Sequence, residues 1–210
     1  MPTLNSELDR LRADLQQCRA CALREGVRPI VSTARDPRVM LVGQAPGKVE
    51  AEGGRPFAGR AGKTLFAWFA SVGLDEETLR RQMYIAAVTR CFPGSHPSGR
   101  GDRVPSPSER ERCSQWLSRE LEIIRPRLII PVGRLAIEAL VGAKPLDQVI
   151  GRELSLAAAD APRGAMVIAL PHPSGASSWI HAPAHKLLLR RSLSLIERRW
   201  REIHDRRRAA

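Results

Sequence analysis

Four short apolar runs, Arg38–Val42, Met83–Val88, Arg127–Val132 and Ala165–Leu170, alternate with helical stretches along this chain. That alternation is the strongest constraint on what it can fold into. Leu4, Leu8, Leu11 and Leu15 recur at helical spacing over residues 4–19. Thr64–Val72 reads as a second helix, with Leu65, Phe66, Trp68 and Phe69 as core residues. Ser108 reads as the cap of a helix running to Ile124, and helices are expected over Gly133–Leu140 and from Ala184 to Arg207. Gln148–Leu156 reads as a hairpin leading into the fourth strand. Strands separated by helices predict an α/β fold: a parallel sheet with helices on both faces. In such sheets the ligand sits at the carboxyl ends of the strands. The loops there, Gly43–Arg60, Arg90–Pro107 and Pro171–Pro183, collect the unusual glycines and prolines, which points to one shared site.

With 210 residues, of which 43% are hydrophobic, residues 1–210 are expected to form a single domain with a full core. The longest apolar run, Leu128–Val132, is too short to span a bilayer, and the N-terminus is too polar for a signal peptide. A cytoplasmic protein with no membrane partner is the expectation. The net charge is +12, and all but four of the 34 basic residues are arginines. Arginine's planar fork suits bidentate phosphate contact and points to nucleic acid, although a GC-rich coding sequence also inflates arginine. Residues 186–210 hold one lysine and eight arginines against three carboxylates, half of the net charge. This basic C-terminal helix is either a solvated face or a means of steering toward DNA.

Cys18 and Cys21 form a C-x2-C pair, and Cys91 and Cys113 are dispersed. In a reducing compartment such cysteines suit thiolate ligation better than a disulfide. One close pair plus two dispersed residues fits a [4Fe–4S] cluster about as well as structural zinc, and buried free cysteines are the plain alternative. Gly59-Arg60-Ala61-Gly62-Lys63-Thr64 approaches the end of a phosphate-binding loop. The motif needs a glycine where this chain has Phe57, so an NTPase reading fails. Gly43-Gln44-Ala45-Pro46-Gly47 follows a strand and by itself is only a turn; His172-Pro173-Ser174 at another strand end is equally weak alone. Phe57, in a polar loop, is placed either for the core or to stack on a flat ligand.

Together, in this order, the four cysteines, Gly43–Gly47, Gly54-Arg55-Pro56-Phe57-Ala58-Gly59-Arg60-Ala61-Gly62 and His172-Pro173-Ser174 resemble the iron–sulfur uracil-DNA glycosylases, closest to family 4 with some family 5-like departures. The resemblance implies a three-layer α/β/α sandwich with a central, mainly parallel four-stranded sheet. It implies a [4Fe–4S] cluster on Cys18, Cys21, Cys91 and Cys113 and a monomeric DNA-repair enzyme that cuts flipped uracil from single- or double-stranded DNA. Gly43, Ala45, Pro46 and Gly47 would line the base pocket, Phe57 would stack on uracil, and His172 would donate toward its O2. Trp179 or Ile180 would wedge into the minor groove. Arg55, Arg60, Lys63 and Ser174 would contact phosphate or the site, with Arg100 and Arg103 behind them.

Three positions depart from the family patterns. Gln44 stands where family 4 carries a Glu, and Arg60 where family 5 carries an Asp. Ala87 stands where family 4 carries an Asn that reads the uracil edge. Gln44 can orient water without serving as a base. Glu50 is then the first-choice carboxylate for water activation and Glu52 the second. These departures leave two alternatives, a non-catalytic or very slow DNA-binding member and a glycosylase for other deaminated bases.

Overall fold

Strand β1 (Val39–Gly43) is the axis of the sheet and is buried at every position. Successive strand side chains point to opposite faces. Met40 and Val42 therefore enter one hydrophobic cluster, and Val39 and Leu41 enter another. The computed structural model describes residues 3–21, 26–99, 101–156, 164–174 and 178–208. β1 pairs in parallel with β2 (Met83–Ala87) on one side and β3 (Leu128–Pro131) on the other. β3 pairs in parallel with β5 (Met166–Val167), and β4 (Leu154–Ser155) adds an antiparallel edge. The resulting order is β2-β1-β3-β5-β4.

Helices α1 (Leu4–Gln16), α5 (Pro107–Ile124), α6 (Arg134–Val141) and α7 (Leu146–Val149) supply the cluster on one face. Helices α3 (Arg60–Ala70), α4 (Glu76–Gln82) and α8 (Pro183–Arg208) supply the other. The expected three-layer sandwich is present. Leu8, Leu11 and Leu15 bring α1 into the core at 0%, 1% and 1% exposure. Burying each contributes about 1.5–3 kcal/mol. The basic helix α8 buries Leu189, Leu193, Ile196, Trp200 and Ile203 along one stripe, so it is a structural layer of the fold.

Several local expectations change. The sheet has five strands rather than four, because Leu154–Ser155 pairs back on β5. The expected hairpin over Gln148–Leu156 begins instead in the helical turn α7. Ser106, not Ser108, caps α5: its hydroxyl accepts the Glu109 N–H while Glu109 accepts the Ser106 N–H, with Pro107 at the first helical position. α3 starts at Arg60, four residues before the expected Thr64. The segment after β1 contains a further short helix, α2 (Lys48–Gly53).

Candidate functional site

β2 and β3 flank β1 on opposite sides, so the connections leaving β1 diverge and open a crevice at its carboxyl end. A cavity of about 540 Å3 lies there. Of the residues expected at the site, Gly43, Gln44, Ala45, Pro46, Gly47, Glu50, Phe57, Arg60, Ala87, His172 and Ser174 all line it.

Phe57 is held unusually. Its backbone is left-handed, with φ 50°. The Arg80 guanidinium donates to the carbonyls of Pro56 (2.8 Å) and Phe57 (3.0 Å) and fastens that turn. Arg80 itself is held by Glu76 at 2.7 Å and lies over the Phe66 ring. The Phe57 ring rests on the bare Cα of Gly43, where an added methyl would meet the ring at 2.9 Å. A methyl on Gly62 would lie 1.9 Å from the Phe57 carbonyl oxygen. Gly43 thus makes room for the Phe57 ring, and Gly62 for the Phe57 backbone.

His172 is fixed by its own loop. The Ser174 backbone N–H donates to Nδ1 at 3.2 Å, and the Ser174 hydroxyl lies 2.8 Å from the same nitrogen. A neutral imidazole whose Nδ1 accepts carries its proton on Nε2. Burial lowers the His172 pKa, which favours that neutral ring. Gly133, with φ 85°, admits the ring: a methyl there would meet Cδ2 at 2.9 Å.

Glu50 is only 8% exposed, and its oxygens accept the Gly47 N–H at 3.1 Å and the Gly59 N–H at 2.9 Å. It ties the Gly43–Gly47 turn to the start of α3. Glu52, Arg55 and Lys63 do not border the cavity. Glu52 is exposed and pairs with Lys48 at 3.9 Å, Arg55 pairs with Glu76 at 3.3 Å, and Lys63 is exposed. Trp179 and Ile180 lie in the 3-10 turn Ser178–His181 and are half-buried against the two core clusters. The Trp179 ring stacks on His185 at 4.0 Å, so that ring is engaged in packing rather than projecting. Arg103 borders the cavity and forks onto Glu109. Arg100 and Gly175–Ala176–Ser177 lie outside the described residues. In α8, Arg198 and Arg199 both pair with Glu153 and Arg201 pairs with Glu197, which neutralises part of the basic helix internally.

Cys18, Cys21, Cys91 and Cys113 are free thiols that border one further cavity of about 230 Å3. Burial and the neighbouring thiols push Cys91 up to about 12, and burial raises Cys113 and Cys21 as well. Among the described residues no three His, Cys, Asp or Glu side chains meet at single-ion distance. The donors around the cavity are all sulfur, the chemistry that suits soft metals and iron–sulfur groups. They come from the segment after α1, the turn after β2, and α5, three segments that a bound group would join.

Three residues of the site were not anticipated. Arg80 comes from α4, which had not been foreseen. Asp102, beside Gly47, and the buried Arg90 also line the 540 Å3 cavity. Arg90 borders the cysteine cavity too. The only signal for Asp102 and Arg90 was their position in a strand-ending loop.

The fold and these two cavities define an α/β/α sandwich with a ligand crevice at the switch point and an all-thiol pocket beside it. Its architecture is similar to that of the crystal structure of wild-type Pedobacter heparinus SMUG2, with a TM-score of 0.51, 14% identity, and 94% of this chain and 98% of that chain covered. Residues 30–194 match the model of the uracil DNA glycosylase superfamily, and the chain belongs to that superfamily. It is 34% identical over 142 residues to the type-4 uracil-DNA glycosylase of Archaeoglobus fulgidus, covering 67% of this chain and 66% of that protein. It is 32% identical to the type-4 enzyme of Thermotoga maritima, covering 63% of this chain and 65% of that protein. A type-5 uracil-DNA glycosylase of Pyrobaculum aerophilum is 36% identical over 118 residues, covering 50% of this chain and 48% of that protein. The chain thus spans slightly less than two thirds of the length of the type-4 relatives from Archaeoglobus and Thermotoga.

Proposed function

We propose that this protein releases uracil from DNA by hydrolysing its N-glycosidic bond, leaving an abasic site. The observation that carries the reading is the Ser174 N–H that meets His172 Nδ1, an arrangement that puts the proton of the neutral ring on Nε2, in a residue that lines the cavity. As the C1′–N1 bond breaks, uracil leaves with the electron pair and negative charge spreads onto O2. A neutral donor already in place meets that charge as it forms, an effect worth about 2.7–4 kcal/mol for one preorganised donor. Phe57 stacks on the flipped base, and Gly43, Ala45, Pro46 and Gly47 form the wall of its pocket. Gln44 orients water through its amide. Ala87 brings no side-chain reader to the uracil edge, so recognition falls to main-chain groups and Gln44, and other deaminated bases come within range.

Flipping a base costs a few kcal/mol, which arginine–phosphate contacts offset. Arg60 and Ser174, at the cavity rim, make the inner contacts, with Arg55 and Lys63 outside them. Cys18, Cys21, Cys91 and Cys113 hold a [4Fe–4S] cluster with a structural role, supported by four thiols that border a volume rather than one point. When bound, that cluster supplies a cross-link between the segment after α1, the turn after β2, and α5. A cytoplasmic monomer completes the reading.

The test is incubation of end-labelled oligonucleotides holding one uracil, single-stranded and opposite G or A, with excess protein, followed by alkali. Strand scission only after alkali is expected. A second reading, a member that binds DNA without turnover, is favoured by Glu50, whose oxygens are engaged by Gly47 and Gly59. No scission with tight binding retained, on uracil, hypoxanthine and xanthine alike, would establish it.

A further inference from the structure

With Gln44 unable to act as a base, Glu50 fastened to two backbone N–H groups and Glu52 outside the cavity, the attacking water lacks the carboxylates first expected to serve it. Among the described residues, the acidic side chains that border the cavity are Glu50 and Asp102. We infer that Asp102, carried by the loop between β2 and α5, is the carboxylate that activates water in this site. The inference rests on the glycosylase reading.

The loop is built to deliver this residue. Ser95 and Asp102 form an antiparallel bridge, His96 N–H donates to Gly101 O at 2.9 Å, and Arg103 N–H donates to Gly94 O at 3.0 Å. The fork of Arg103 on Glu109 then pins the loop to the first turn of α5. The carboxylate meets the Gly43–Gly47 turn directly. A methyl on Gly47 would lie 2.8 Å from Asp102 Oδ2 and 2.7 Å from Glu50 Oε2, so both acids reach the same bare Cα. The backbone of Lys48, the first residue after that turn, favours the charged form of the Asp102 carboxylate.

The two acids differ in what they have left to offer. Glu50 is buried and accepts two backbone N–H groups. Asp102 stays open to solvent, so water can reach it. Partial burial of its carboxylate and the charge of Glu50 raise its pKa, while the Lys48 contacts oppose the rise, leaving a stronger base than an ordinary aspartate. Lys48, Arg60, Arg90, Arg103 and His172 are the other ionisable groups of the cavity. In the step itself Asp102 takes one proton from water as the water oxygen bonds to C1′. The C1′–N1 bond breaks and its electron pair leaves with uracil. The uracil anion is protonated from solvent, and Asp102 returns its proton there.

The test is single-turnover uracil release by Asp102→Asn and Asp102→Glu, alongside the unaltered protein and each protein's affinity for uracil-containing DNA. Asparagine keeps the size of the side chain and an acceptor oxygen and loses only the base. Asp102→Asn is expected to slow release by about 10²–10⁴-fold with affinity within about threefold, and to abolish the acid limb of the pH–rate profile. Asp102→Glu is expected to restore part of the rate and that limb. If the unaltered protein releases uracil and Asp102→Asn does so within about threefold of it, or keeps the acid limb, Asp102 is not the base and the glycosylase reading stands. Loss of rate matched by loss of affinity, with no recovery in Asp102→Glu, would make Asp102 a loop tie and overturn the inference. An unaltered protein inert on every deaminated base would remove the glycosylase reading and this assignment together.

Discussion

Arg90 and Glu120 pair inside the sandwich, with side-chain exposures of 2% and 1%. The Tyr84 hydroxyl donates to the same carboxylate at 3.0 Å. Arg90 borders both cavities, and its charge opposes the burial that raises the Cys113 thiol. This pair therefore lies at the partition between the thiol pocket and the cavity at the end of β1. Removing one partner leaves the other charge buried and uncompensated. Glu120→Gln preserves the shape and an acceptor for Tyr84, and is expected to cost about 3–5 kcal/mol in urea unfolding. An unchanged midpoint and slope would mean that the pair is not what holds the partition.

The Arg80 hold on Phe57 gives a prediction about affinity. Arg80→Ala removes two donors from the Pro56–Phe57 turn and frees the left-handed backbone that aims the ring. A charged hydrogen bond contributes about 1.5–3 kcal/mol, so affinity for uracil-containing DNA is expected to fall roughly tenfold or more. Affinity for the same duplex without uracil is expected to stay near that of the unaltered protein. Equal losses on both duplexes would show that Arg80 acts through DNA contact and not through Phe57.

Gly62 and Gly53 make a matched pair. Gly62→Ala drives a methyl into the Phe57 carbonyl, 1.9 Å away, and is expected to destabilise by about 1–3 kcal/mol and to cut uracil release. Gly53, also helical, has nothing within 4 Å of an added methyl. Gly53→Ala is expected to be neutral or to stabilise by about 0.5–1 kcal/mol. Thermal melts and single-turnover rates of the two variants check the contrast.

Glu109 gives a pH dependence of known sign. The Arg103 fork, together with the Ser106 N–H and hydroxyl, holds its carboxyl down at about 2 against an ordinary 4.5. The folded value is the depressed one, so the unfolded chain binds the proton more tightly. The stabilisation is present above about pH 4.5 and is lost as pH falls toward 2. Glu109→Gln is expected to lower stability at neutral pH and to flatten the acid arm of a stability–pH curve. An acid arm as steep as the unaltered protein's would assign it to other carboxylates.

Much of this fold was legible in the sequence because β1, β2 and β3 are apolar on both faces and bounded by turn residues. Helix ends were less so. Ser106 and Ser108 are both plausible caps, and only the reciprocal bond with Glu109 decides between them. β4 is two residues long and pairs at the sheet edge, so it leaves no periodic signal. At the site, Phe57 and His172 were found through their motifs, whereas the role of Glu50 depends on which N–H groups it meets. Asp102 and Arg90 reach the site through tertiary packing of a loop and a strand end, which spacing along the chain does not encode.

The central claim is that neutral His172, donating through Nε2–H, meets the charge on departing uracil. Its most direct test is free uracil released in a single turnover by the unaltered protein and by His172→Ala, from about pH 5 to 9. The account predicts release by the unaltered protein and a loss of about 10²–10³-fold in His172→Ala at neutral pH, with DNA affinity retained. Equal rates for the two proteins across that range would contradict it.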